Sequence, residues 1–314
     1  MYFKVSKKEF YNALSVAARA ISTFSPLPAF SGVKIEATMD CLILTGSDSD
    51  ISIQTKLKKS EHCVLEIHDM GSIVIEAKYI LEIVRKIDAD EIEFEMLDGS
   101  LTKISGNTAE FRINGMRASE YPAIDFSKPN ECFNVSEDIL KKIILQTSFA
   151  TSDKETRPVL TGVNFQCKEH QLHCVATDSY RLAKKTVEIE ESLNFNITIP
   201  AKSLQEVVKT LEGEGDVEIA VNDKKAQFII HDTIVQTRLI DGVYPETSRL
   251  IPLQFDYELT IDAHDLLNAI DRASFIKNDG VSVIKFNLSE QECRRQCISG
   301  LRCRNSRMCT WIQQ

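Results

Sequence analysis

The chain repeats itself. Phe133-Asn134-Val135-Ser136 answers Phe3-Lys4-Val5-Ser6, and Gly162-Val163 answers Gly32-Val33, both at an offset of 130. Thr177-Asp178-Ser179 answers Ser47-Asp48-Ser49 at the same offset. Ala201-Lys202 answers Ala77-Lys78 at 124, and Tyr244-Pro245 answers Tyr121-Pro122 at 123. An offset that drifts only through small loop changes requires a fold built twice from one plan. A third copy opens near Asp256, where Leu259-Thr260-Ile261-Asp262 takes the place of Phe133 to Ser136. The expected units are 1–127, 128–254 and 255–314, each of ordinary domain size or below.

Within a unit the hydrophobic period alternates between helix and strand. Phe10, Leu14, Ala17 and Ile21 share one helical face, with Lys8, Asn12, Ser15 and Arg19 on the other. Strands are expected at Gly32–Ala37, Cys41–Ser47, Ile51–Leu57 and Gly71–Glu76. A second helix fits Lys78–Ile87, with Ile80, Ile83, Val84 and Ile87 inward. Further strands follow at Glu91–Met96, Leu101–Gly106 and Ala109–Asn114. The strands stand too close together for parallel crossovers. The fold class is therefore α+β: antiparallel sheets with two helices packed on one face of each domain. In the third unit Leu266, Leu267 and Ile270 give a helix an apolar face, and Val281–Leu288 is one more strand.

The net charge of −9 argues against a nucleic-acid binder as a global sum, but a field depends on where charges sit. The helices carry cations on their polar faces: Lys8 and Arg19, Lys78 and Arg85, Lys141 and Lys142, Lys202 and Lys209, and Arg272. Acidic residues concentrate in strands and loops, as in Asp88-Ala89-Asp90-Glu91 and Glu188 to Glu191. Ordinary solvated helix faces account for this pattern as readily as a binding surface does. No apolar run approaches the roughly 20 residues of a membrane helix, and Met1 to Glu9 has no apolar signal core, so a cytoplasmic protein is expected. Cys41, Cys63, Cys132, Cys167 and Cys174 lack metal-ligand spacing and read as reduced, apolar residues.

Catalytic signatures are missing. Ser179 follows Asp178 and His173 precedes Cys174, but strand neighbours point to opposite faces. No Gly-rich phosphate loop and no helix-borne His/Glu metal pair occurs. No catalytic residue, cofactor or metal is expected. The stretch with most local information is Val175 to Lys185. Alternation before it and strand-forming residues after it flank Asp178-Ser179, which favour a tight reversal. The hairpin presents Thr177, Tyr180 and Arg181 beside Leu182. On the residues alone an ordinary surface hairpin fits equally.

Thr177-Asp178-Ser179-Tyr180-Arg181-Leu182-Ala183 resembles the Thr-Asp-Ser/Gly-His-Arg-Leu-Ala segment of the bacterial replicative sliding clamps, the beta subunits of DNA polymerase III. Asn114 to Pro122, Arg157 to Val163 and Asp241 to Pro252 match the same family in order, and Tyr180 departs from its usual His. The resemblance runs from about Met1 to about Glu290. It implies repeated clamp domains with helices inside a ring and sheet outside. It also implies a non-catalytic processivity factor that encircles duplex DNA as a head-to-tail homodimer. The DNA-facing residues would be Lys8, Arg19, Lys78, Arg85, Lys141, Lys142, Lys202, Lys209 and Arg272. Diffuse phosphate contacts suit a body that must slide. The implied partners are the polymerase III catalytic subunit, the clamp loader and other clamp-motif proteins. Their peptides would enter a pocket of Leu160, Thr177, Tyr180, Arg181, Leu182, Pro245 and Leu250. The leucines and the proline would line an apolar groove, while Thr177 and Arg181 would fix the peptide. Taken singly, each leucine fits plain core as well.

From about residue 291 the composition changes. Beyond Cys293 there is no Asp or Glu, but Arg294, Arg295, Arg302, Arg304 and Arg307 appear with Cys297, Cys303 and Cys309. The cysteine separations do not make paired knuckles. The expectation is a clamp truncated by a reading-frame change, whose third domain closes a ring poorly. The alternative function is then a clamp-derived module that binds partner peptides without closing a ring.

Overall fold

The computed structural model describes residues 1–22, 27–251, 254, 260–274, 284–288 and 293–297. The chain forms two compact units, Met1–Tyr244 and Pro245–Gln314. The first repeat contains β1 (Tyr2–Ser6), α1 (Lys7–Ala18), β2 (Gly32–Ala37), β3 (Cys41–Ser47), β4 (Ile51–Lys58), β5 (Leu65–Asp69) and β6 (Gly71–Glu76). It continues through α2 (Ala77–Lys86), β7 (Glu91–Asp98), β8 (Leu101–Gly106), β9 (Ala109–Asn114) and β10 (Met116–Arg117). The second repeat contains β11 (Glu131–Ser136), α3 (Glu137–Thr147), β12 (Gly162–Thr177), β13 (Leu182–Pro200) and α4 (Ala201–Thr210). It ends with β14 (Asp216–Val221), β15 (Lys225–Ile230) and β16 (Thr233–Arg238).

Every described strand pairing is antiparallel. One five-stranded sheet runs β5-β1-β7-β8-β9. A nine-stranded sheet runs β10-β6-β2-β3-β4-β16-β15-β14-β11 and so crosses from the first repeat into the second. The crossing is the β4–β16 ladder, from Thr55↔Thr233 to Ile51↔Thr237. It is reinforced by a Lys58–Asp232 ion pair at 2.6 Å and a Thr55–Thr233 hydroxyl contact at 2.8 Å. Ile51 and Ile53 of the first repeat are buried in the core of the second.

The repeat has physical causes at its matching positions. Phe3 and Val5 on β1 are buried against Phe94 and Ile92 on β7. Phe133 and Val135 on β11 are buried against Ile219 and Val217 on β14. Gly32 and Gly162 open β2 and β12, where the chains approach too closely for a side chain. A Cβ would lie 2.9 Å from the Ile75 carbonyl oxygen in one case and 2.6 Å from that of Ile199 in the other. β12 pairs with β13 in two segments that shift register at Glu169, where φ is +58°.

The expected strands at 32–37, 41–47, 71–76, 101–106 and 109–114 form with those bounds. α1 stops at Ala18, so Arg19 and Ile21 lie beyond it rather than on its faces. In the second unit α5 (Ala263–Ser274) packs on β17 (Ile284–Leu288) and β18 (Cys293–Cys297). Asp262 caps α5, its Oδ1 accepting the N–H groups of His264 and Asp265. Leu266 and Ile270 are half-buried, but Leu267 is exposed. β18 extends the pattern beyond Glu290, its Cys293 opposite Leu288. Residues 255–259, 281–283 and 298–314 lie outside the described residues, as does the Arg/Cys tail beyond Cys297. Among the described residues no helix is long and apolar enough to cross a membrane, and no cluster of metal-ligating groups occurs.

Candidate functional site

The helices of the first unit form two packed pairs linked through Arg19. α1 packs on α2, and α3 packs on α4. Arg19 joins the pairs, donating from Nη1 to the Lys209 carbonyl at 2.6 Å and to Thr210 Oγ1 at 3.4 Å. A guanidinium at the end of α4 meets the unpaired carbonyls and the negative end of the helix dipole. Arg19 is thus a brace between repeats.

The other expected DNA-facing residues are all exposed. Arg85 pairs with Glu82 at 2.8 Å, Lys142 with Asp138 at 2.6 Å and Lys209 with Glu206 at 2.7 Å. Lys78 lies 5.8 Å from the Tyr79 ring centre. Lys8, Lys141, Lys202 and Arg272 make no ion pair among the described residues. The pairs run along single helices and are solvent-screened, so they leave the lysines free to exchange partners. Lys8 and Arg85 line a cleft of about 490 Å³ with Lys7, Tyr11 and Asn12. Arg272 belongs to the second unit, on α5.

The hairpin turn between β12 and β13 is built by Asp178. Its Oδ1 accepts the N–H groups of Tyr180 and Arg181, both at 2.9 Å, and its Oδ2 accepts Arg181 Nε–H at 3.0 Å. Ser179 takes φ of +77°. Partial burial pushes the Asp178 carboxyl up, but the two backbone donors and the Arg181 charge prevail and hold it below its usual value. Thr177 is buried, and its hydroxyl donates to the Arg181 carbonyl at 2.6 Å while accepting Ser179 N–H. That hydroxyl is committed to the turn, so Thr177 shapes the site rather than offering a free polar group.

Tyr244 ties the turn to the end of the first unit. Thr177 N–H donates to its hydroxyl at 3.0 Å, and burial pushes the phenol up to about 12. Leu160, Val175 and Tyr244 form a small buried cluster, with Val159 and Leu182 packed at its margin. Above it stand Tyr180, 93% exposed, and Arg181, whose guanidinium carbon lies 5.7 Å from the centre of the Phe149 ring. The arrangement is an apolar floor with an exposed cation and two exposed aromatic rings.

Leu160, Thr177, Tyr180, Arg181 and Leu182 therefore come together in the first unit. Pro245 and Leu250 are exposed residues of the second unit, Leu250 ending a 3-10 turn over Ser248–Leu250. Sequence reasoning missed Phe149, Val175 and Tyr244. The repeated Tyr-Pro pair was a signal for Tyr244, since a buried tyrosine needs a partner for its hydroxyl. For Phe149 there was none, because Arg181 lies 32 residues away in sequence.

Residues 1–125 match the family model of the DNA polymerase III beta subunit, N-terminal domain, and residues 134–246 match the model of its central domain. The chain is 37% identical over 298 residues to the Beta sliding clamp of Bacillus subtilis (strain 168), covering 93% of this chain and 79% of that protein. The crystal structure of the DNA polymerase sliding clamp from Bacillus subtilis superposes with a TM-score of 0.88 at 34% identity, covering 95% of this chain and 83% of the other. The beta subunit from Streptococcus pyogenes superposes with a TM-score of 0.89 at 28% identity, covering 95% and 81%.

Proposed function

The chain belongs to the DNA polymerase III beta-subunit family, the bacterial sliding clamps, and from that premise we propose that it holds duplex DNA along its helical layer while the β12–β13 turn receives peptides of its partners. Sliding clamps are non-catalytic processivity factors of DNA replication, and the protein is not an enzyme. The finer reading is a head-to-tail ring of three modules per chain, at 1–127, 128–254 and 255–314. Its partners are the replicative polymerase, the clamp loader and other proteins bearing the same short motif.

The observation that carries this reading is the two helix pairs α1–α2 and α3–α4, joined by Arg19, in a unit whose nine-stranded sheet runs unbroken across the two repeats. α1, α2 and α4 each carry more Lys and Arg than Asp and Glu, on a protein of net charge −9. Such a surface attracts phosphates without hydrogen-bonding base edges, which allows a bound body to move along the duplex. Lys8, Lys78, Lys141 and Lys202 are its mobile cations, with Arg85, Lys142 and Lys209 as paired ones; Arg272 is the candidate cation of α5 in the second unit.

At the turn, Leu160 and Leu182 supply the floor, Tyr180 and Arg181 the walls, and Thr177 the shape. Burial of a peptide's apolar side chains there draws on roughly 25 cal/mol per Å².

The test is retention on DNA of the full chain with its loader. A closed ring stays on circular plasmid and is lost when the plasmid is linearised. Replacing Lys8, Lys78, Lys202 and Lys209 together should flatten the salt dependence of association. Equal retention on circular and linear DNA would contradict encirclement, and an unchanged salt slope would place the DNA path elsewhere.

A further inference from the structure

At the end of the first repeat opposite its β3–β4 turn, three loops converge. Ala37 at the end of β2 pairs with Gly71 at the start of β6, which brings the Thr38–Asp40 turn beside Met70. Asp69 pairs with Tyr2, and Met96 N–H donates to the Met1 carbonyl, which brings Leu97 and Asp98 to the same end. There Met39 is 78% exposed, Met70 56% and Leu97 42%. Asp40, Asp69 and Asp98 stand beside them, each exposed and without an ion pair among the described residues.

The fold does not require this apolar character, as the second repeat shows. Strand register fixes the equivalent positions. Ala37↔Gly71 corresponds to Cys167↔Phe195, and Phe3↔Phe94 to Phe133↔Ile219. Met39, Met70 and Leu97 therefore answer to Glu169, Asn194 and Asn222, all exposed. Asp40 and Asp69 answer to His170 and Leu193. The three positions that are apolar in the first copy are polar in the second. Exposed long apolar side chains carry a solubility cost unless something covers them, and methionine side chains adapt to varied apolar shapes.

We propose that Met39, Met70 and Leu97, rimmed by Asp40, Asp69 and Asp98, form a second docking surface for a basic amphipathic segment of a partner protein. The apolar side chains of that segment lie on the methionines and the leucine, and its lysines or arginines face the aspartates. The occupant is basic because three unpaired carboxylates surround the patch, and like charge would repel an acidic segment. The surface is separate from the β12–β13 turn, whose first-repeat counterpart lies at the other end of β3, so it does not depend on the peptide reading above.

The test uses the full chain and a fluorescein-labelled lysine–leucine peptide with its leucines on one helical face, against its glutamate–leucine counterpart. The lysine peptide should bind and the glutamate peptide should not. A variant carrying the second repeat's residues, Met39→Glu with Met70→Asn and Leu97→Asn, should weaken binding about tenfold or more with an unchanged melting temperature. Asp40→Asn with Asp69→Asn and Asp98→Asn should weaken it and flatten its salt dependence. Failure of the wild type to bind, equal binding of both peptides, or undiminished binding by both variants would overturn the proposal. So would sedimentation showing that the apolar patch mediates self-association while peptide binding is untouched by either variant.

Discussion

The two repeats build one turn and use it differently. In the first, Asp48 Oδ1 accepts the N–H groups of Asp50 and Ile51 at 3.0 and 2.9 Å, Ser47 Oγ donates to the Ile51 carbonyl, and Ser49 takes φ of +87°. In the second, Asp178, Thr177 and Ser179 repeat each of these contacts. After the turn the copies part. Ile51 is buried, and the Asp50 carbonyl accepts Arg238 N–H at 2.8 Å, so the first turn leads into the seam between repeats. At the matching positions Tyr180 and Arg181 are exposed. Identical backbone chemistry thus serves a weld in one place and an open surface in the other, and the side chains at two positions decide which.

Breaking the seam gives the largest effect. Ile53 is fully buried opposite Val235, so Ile53→Ala should cost about 2–4 kcal/mol in chemical denaturation. Arg181→Ala, on the exposed turn, should change stability by about 0.5 kcal/mol or less. Equal losses would show that the second turn is also a structural weld.

The tyrosines sharpen the contrast further. Tyr121 and Tyr244 are both buried, but among the described residues Tyr121 Oη has no hydrogen-bond partner whereas Tyr244 Oη accepts Thr177 N–H. Tyr244→Phe orphans that N–H and should cost about 1–2 kcal/mol. Tyr121→Phe removes an unsatisfied hydroxyl and should be neutral or stabilising. A reversed order in thermal melts would mean that Tyr121 has a partner in solution.

The smallest effect is alkaline. Burial raises both phenols, that of Tyr244 to about 12 and that of Tyr121 further above its ordinary value. The stability that follows from a raised folded-state value is fully present below the ordinary tyrosine range and is lost as pH rises through the folded one. Ultraviolet titration should show Tyr121 and Tyr244 ionising late, and Tyr244→Phe should remove one late step. If all tyrosines ionise together in the ordinary range, neither phenol is held in a desolvated site.

Much of this was legible in sequence because periodicity reports burial. Ile80 and Val84 face the core at helical spacing, as expected, and the β2 and β3 bounds follow from alternation. The duplication was legible for the same reason: Phe133, Gly162 and Asp178 recur because backbone approach, core filling and turn chemistry each demand those residues. The seam was not legible. β4 and β16 pair across 178 residues from Thr55 to Thr233, and nothing local in either strand names its partner. Arg19 was read as a helix-face cation because spacing cannot show that α1 ends one residue earlier. At the turn Leu160, Thr177, Tyr180, Arg181 and Leu182, grouped from the sequence, lie together in the fold, but the sequence left Thr177 as a free polar group when the folded turn consumes its hydroxyl.

The central claim is that the second turn is a receptor and the first is a seam. Fluorescence polarisation with a peptide carrying a partner polymerase's clamp-binding motif tests it most directly, across Arg181→Ala, Leu182→Ala and the first-repeat control Asp50→Ala. The account predicts that Arg181→Ala and Leu182→Ala each weaken binding about tenfold or more without unfolding the protein, while Asp50→Ala leaves affinity unchanged. Wild-type affinity in both second-repeat variants, or an equal loss from Asp50→Ala, would contradict it.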